Sequence, residues 1–330
     1  MTLESELNKL RNQKGQNFFQ AFELSIRHHN ALNSGAPAFE RMWHFWGNHF
    51  SLSNKDFISD WHYGPYMREA IRPSMDKTFE EMVVEVTTSW GMIHHLDNTD
   101  NIGPNSQEGR RENSDGDKRK VGLNENHARE LLELHTVSPA ANYTQDDVIN
   151  MAKVLTGWAK KWSKKNSWAG PLVFQPELHE MGQKNILGKS YNTKENKMTG
   201  NKQLFAVIKD LCNHKSCREF IAKKLCQHFI MDEPSQEMID PIVQAWVKSD
   251  GFLPEIHKAT MKVAFEYGNK HKKFLMPEPW LIQNAKMLNF KHYWGPDRFV
   301  FKPGKIPPKR ERQIQWILED LGHSVFKASQ

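Results

Sequence analysis

The sequence predicts a mainly α protein, an irregular multi-helix globular domain with two long loops and at most a small β-hairpin. Three observations carry this. Apolar residues recur at three- and four-residue spacing along most of the chain. Helix starts carry a Ser or Thr followed by acids, as at Thr144-Gln145-Asp146-Asp147 and Ser235-Gln236-Glu237. Short apolar runs suited to strands occur only at Leu172-Val173-Phe174 and Ile186-Leu187-Gly188, inside a stretch rich in Gly, Pro, Lys and Asn.

Taken in order, the periodicity predicts helices over about 16–32, 37–50, 64–72 and 76–95. The second rests on the stripe Phe39, Met42, Trp43, Trp46 and Phe50, with His49 at its border. A helix over about 124–136 places Ala128, Leu131, Leu132 and His135 on one face and Glu125, Asn126, Arg129, Glu130 and Glu133 on the opposite arc. Thr144 opens the next, about 144–158. Phe205, Ile208 and Leu211 set the apolar face of 201–213, and Phe220, Ile221 and Leu225 that of 216–230. Further helices are expected at about 235–249, 253–266, 278–289 and 309–321. Asn98 to Val121 and Trp162 to Gly200 break the pattern as long loops, a kind of segment that often carries function. The organisation is read as one helical domain over 1–330, with possible subdomains 1–160 and 201–330 joined by the loop 161–200.

Composition narrows the function classes. With 25% charged and 38% hydrophobic residues the chain can build a core, and no run approaches the ~20 apolar residues of a membrane-spanning helix. Met1 to Gln20 carries Glu4, Glu6, Lys9, Arg11 and Lys14 and no apolar signal region. Cys212, Cys217 and Cys226 are too few for a disulfide scaffold; with His214 and His228 they come nearest to a zinc pattern, but they fall on apolar helix faces and read as core residues. The net charge of +6 gathers partly at Lys160, Lys161, Lys164 and Lys165 around Trp158, Trp162 and Trp168, and at Lys305, Lys309, Arg310 and Arg312. No nucleic-acid fold signature accompanies either cluster, so nucleic acid is not an expected partner. No Gly-x-Ser-x-Gly elbow, His-Glu-x-x-His pair or phosphate-cradling Gly-rich loop occurs.

The densest chemistry lies in Asn124-Glu125-Asn126-His127-Ala128-Arg129-Glu130-Leu131-Leu132-Glu133-Leu134-His135-Thr136. Two readings stand side by side. The polar arc is a solvated face of i,i+4 pairs, with His135 a core histidine, or three carboxylates and an arginine line a cleft in which crowded acids raise one another's pKa. A second candidate is Phe174-Gln175-Pro176-Glu177-Leu178-His179-Glu180, leading to Lys184, whose polar residues sit on an irregular segment.

These motifs together resemble the bacterial domain-of-unknown-function 1800 family. The resemblance rests on the 124–136 segment, Tyr143-Thr144-Gln145, Leu155-Thr156-Gly157-Trp158, Phe45-Trp46-Gly47-Asn48-His49-Phe50, Tyr63-Gly64-Pro65-Tyr66, Leu96-Asp97-Asn98, Gly103-Pro104-Asn105-Ser106, the His179 loop and the Phe229 to Pro234 turn. Against the family pattern, Gly47 stands where a second His is frequent, His127 where Tyr is usual, Glu180 where Asp is usual, and His94-His95 where apolar or aromatic residues are typical. The resemblance implies an exported setting, periplasmic or extracellular, and a chain shortened at both ends. It further implies a sulfatase-like neighbour protein and a polymer substrate such as a glycan. Shortening would leave Val300, Phe301, Trp316, Ile317 and Phe326 as an exposed, self-associating patch.

Residues and resemblance lead to two functional expectations. One is a hydrolase-like enzyme with Glu130, Glu133, Glu125, Arg129 and His179 in the catalytic set and Asn124, Asn126, His135, Trp158 and Lys184 around it. It needs no cofactor, and its metal-assisted version would use a divalent ion at His49 and Glu130. The other is a non-catalytic helical scaffold or binding module for an exported partner.

Overall fold

A computed structural model of the chain describes residues 17–53, 62–114, 120–160, 172–191, 200–268 and 273–289, with positions 318, 320, 321 and 323. Expectations for Lys161, Trp162, Lys164, Lys165 and Trp168, for the cluster Lys305 to Arg312, for most of helix 309–321 and for the Val300 to Phe326 patch lie outside these residues.

The mainly α reading holds. Two compact units divide the chain, Met1–Met67 with Lys272–Gln330, and Arg68–His271. In the first unit, α1 is Asn17–Asn33 and α2 is Pro37–His49, opened by a proline whose fixed φ suits the first turn. The expected stripe forms the core of α2: Met42, Trp43, Trp46 and Phe50 are buried, and Phe39 is half-exposed. His49 is buried as well, ringed by Phe45, Trp46 and Phe50. Gly47 is explained by packing, since a Cβ there would sit 2.2 Å from the Met67 methyl carbon.

The second unit holds α3 Phe79–Thr87, α4 Trp90–His95, α5 Gln107–Ser114, α6 Asn126–Glu130, α7 Gln145–Leu155, α8 Gly200–Asn213, α9 Lys215–Phe229, α10 Gln236–Lys248 and α11 Leu253–Gly268. In the first unit, α12 is Pro277–Met287. Helix 76–95 is split because Ser89 caps a new start, its hydroxyl accepting from Met92 N. Helix 64–72 becomes a wide π-helical turn, Tyr66–Ile71, and α6 runs on as another, Leu131–His135. Thr78 and Thr144 close full capping boxes with Glu81 and Asp147, whereas Ser235 occupies its cap position without a side-chain bond.

Two antiparallel pairs replace the single hairpin expected. β1, Trp158–Lys160, pairs with β2, Leu172–Phe174, and β3, Lys184–Ile186, with β4, Lys189–Tyr191. The first pair was hidden because Trp158 continues the apolar period of α7. Gly157, at φ +89°, ends the helix there and turns the chain into β1.

Buried amides hold residues 98–101, at the start of the expected first loop. Asn98 Nδ2 donates to the carbonyls of Leu155 and Trp158, and Asn101 Nδ2 to Ala152 O and Asn98 Oδ1. The Leu155 carbonyl, left open by the end of α7, is thereby satisfied from across the unit. Asn101 Oδ1 in turn accepts from Asn124 N, which fixes where α6 begins. The cysteines are buried in α8 and α9, and burial pushes their thiols up, as the core reading requires.

Candidate functional site

Helix α6 carries the acidic motif on a firm seat. His127, Ala128, Leu131, Leu132 and His135 are buried, while Glu125, Arg129, Glu130 and Glu133 keep contact with solvent. Asn124 serves the start of the helix, its Oδ1 accepting from Asn126 N at 3.0 Å, and Asn126 itself is exposed. The two-faced wheel drawn from the sequence is therefore the arrangement found, although the π-helical turn alters the neighbours on the polar side.

In sequence Arg129 stands four residues from both Glu125 and Glu133. Its guanidinium donates to Glu125 Oε2 at 2.9 Å and to Gln145 Oε1 at 3.1 Å, and Gln145 Nε2 donates back to Glu125 Oε2 at 2.8 Å. Glu133 takes a different partner, accepting from the Tyr143 hydroxyl at 3.1 Å. The side chains of Arg129 and Glu125 are 44% and 33% exposed, so this is a surface network and not a buried one. Glu130 is half-buried, and its carboxyl is pushed above the usual range by burial and then by the charge of Glu133, with Arg129 opposing. Tyr143 is held protonated by burial and by its bond to Glu133, so it stays a donor. Tyr143 and Gln145 were legible as motif residues but not as site residues. The missing signal was their fold-back onto α6.

His179 belongs to a second, buried cluster. Its Nδ1 lies 2.9 Å from Thr156 O; a carbonyl only accepts, so Nδ1 carries the proton. Nε2 is buried without a hydrogen-bond partner, and the Gln203 side chain acts on the ring. Burial and then the charge of Lys184 push the imidazole down to about 4, which keeps it neutral near pH 7. Thr156 Oγ1 accepts from Glu180 N, and the Glu180 carboxylate accepts from Asn105 N at 2.8 Å and Asn105 Nδ2 at 2.7 Å. Lys184, buried, donates to Glu180 O and is pushed down to about 8 by its burial. Gly103 is required here, because a Cβ would lie 2.6 Å from Glu180 N. The polar neighbours of His179 are thus Thr156, Glu180, Lys184 and Gln203, none of them on α6. Trp158 packs edge-on against Phe174, and Phe174 against His179.

His135 lies beneath α6, pushed down to about 3 by burial and by the neighbouring bases His127, Lys224 and His95. Of the two residues named for a metal, His49 belongs to the first unit and Glu130 to the second. Among the described residues no group of three or more His, Cys, Asp or Glu is placed to hold a metal ion. No described helix is long and apolar enough to cross a membrane.

Fold and site together define a mainly α protein that carries a solvent-facing carboxylate helix and, apart from it, a buried polar cluster. The whole chain bears the marks of one family. It belongs to the family described as Protein of unknown function (DUF1800), whose model matches residues 3–330. Comparison with curated proteins and with solved structures returns no match.

Proposed function

We propose that the α6 face is a carboxylate acid/base site of a hydrolase acting on a polymer such as a glycan. The observation that carries the reading is the unlike setting of two carboxyls one turn apart. Glu130 is held toward its protonated form by burial and by its neighbour, and Glu133 accepts from Tyr143. An acid that protonates a leaving oxygen beside a base that activates water is what glycosidic bonds require. Arg129, steadied by Glu125 and Gln145, supplies a cation for developing negative charge. His179, being buried, serves as a buttress for the loop and not as a reacting group.

The test is turnover of a glycan and ester panel by the purified chain, with Glu130→Gln and Glu133→Gln as controls. Each variant should lose about 100-fold or more, the usual share of general acid–base catalysis. Turnover unchanged in both variants would remove the proposal. A second reading, a binding module for an exported partner, is favoured by the solvent-open Arg129–Glu125–Gln145 network, which is preformed and needs no reacting group. Binding without turnover, insensitive to Glu133→Gln, would select it.

A further inference from the structure

The seat of α6 contains an unusual group. His127, in the first turn of the helix, is 1% exposed, and neither of its ring nitrogens has a hydrogen-bond partner. A neutral imidazole carries one N–H and one lone pair, and here both are shut away from water. Basic groups act on both imidazoles. His95 of α4 acts on His127, and His127, Lys224 of α9 and His95 act on His135. On α7, Asp147 is committed to Thr144 and to Leu187 N, and the carboxylates of α6 itself lie on its opposite arc.

We propose that His127 and His135 make the seat of α6 an acid-sensitive latch, so that mild acid frees the helix and withdraws its acidic face. As regulation of that face, the proposal rests on the reading given above; as a property of the helix it does not. The sign follows from linkage. Burial first, then neighbouring bases, push both imidazoles from the ordinary 6.5 down to about 3. Below 6.5 the opened helix binds up to two protons that the seated helix refuses, so each histidine raises the opening equilibrium about tenfold per pH unit. Glu130 on the same helix works against them, since its raised carboxyl keeps a proton in the seated state. The effect is complete near the folded values. Lys224, pushed down only to about 8, is charged throughout that window and keeps protons off His135 without changing state.

Hydrogen exchange on the full chain, corrected for intrinsic rates from about pH 7 to about pH 4, tests this. Protection of 126–135 should fall toward ~100-fold per pH unit, and toward ~10-fold in His127→Phe, while α10 in the same unit loses less. Flat protection, an unchanged slope in the variant, or loss in step with α10 would overturn the latch. Should His127→Phe fail to fold, imidazole carbon NMR of the unaltered chain decides. A His127 ring that stays neutral to about pH 4 supports the latch, and one that titrates near its ordinary value overturns it. Exchange is read without any substrate, so the latch and the hydrolase reading fail separately.

Discussion

The polar face of α6 and the buried seam that 98–106 makes with 156–158 and 178–184 are built from similar residues, Asn and Glu, yet they end in opposite states. In the seam every carboxylate, amide and lysine that holds it together is spoken for: Asn98 and Asn101 satisfy the end of α7, Asn105 holds Glu180, and Lys184 holds a carbonyl. On α6 the bonds are fewer and open to water, and Glu130 is left half-buried beside another acid. A polar motif becomes scaffold when burial commits its carboxylates and amides to partners inside the protein. It stays available for chemistry when solvent can still do that work.

The largest effect should come from the seam. Asn101→Ala strips the partners from Asn98 Oδ1 and Asn124 N and one of two from Ala152 O, which keeps Thr156 N, and should cost about 2 kcal/mol or more in chemical denaturation, at 1–3 kcal/mol per orphaned group. A loss comparable to a surface substitution would break the contrast. Gly103→Ala follows, at about 2 kcal/mol, because the backbone of Glu180 has nowhere to move from a Cβ at 2.6 Å.

Acid should then separate His179 from Glu130. His179 is pushed from 6.5 down to about 4 by burial first and Lys184 second, so the unfolded chain takes up its proton before the folded one does. Its contribution to stability is present above 6.5 and is lost as pH falls toward 4. Replacing His179 by Gln should flatten the melting curve over that window, and an undiminished acid slope would place the loss elsewhere. Glu130 carries the reverse sign: its raised carboxyl keeps a proton that the unfolded chain gives up, so its share of stability falls as pH rises through the raised range. Glu130→Gln should therefore leave melting at neutral pH unchanged or higher, and a lower value would mark Glu130 as structural.

Arg129→Ala should do least, under about 1 kcal/mol, as exposed ion pairs do. A cost of several kcal/mol would turn the α6 network into part of the scaffold.

The two-faced helix at 124–136, the cap at Thr144 and the apolar stripe of α2 were all readable, because 3.6-residue periodicity and capping act within a few residues of the chain. Gln107–Ser114 was not, since a helix with so little apolar character leaves no periodic trace. Nor was β1, masked by the period of the helix before it.

The site was legible to a similar depth. Sequence alone determined which residue types share the α6 face, since helix geometry fixes that within one turn. Tertiary structure alone decided that Glu133 would meet Tyr143 and Arg129 would meet Gln145. It also decided that Glu180, reached from Asn105 at 75 residues' distance, and Asn98, bonded to Leu155 across 57, would be buried and complete. The reason is physical: local propensity acts between neighbours on the chain, whereas burial, and with it the fate of every polar group, is set by segments that meet only when the core closes.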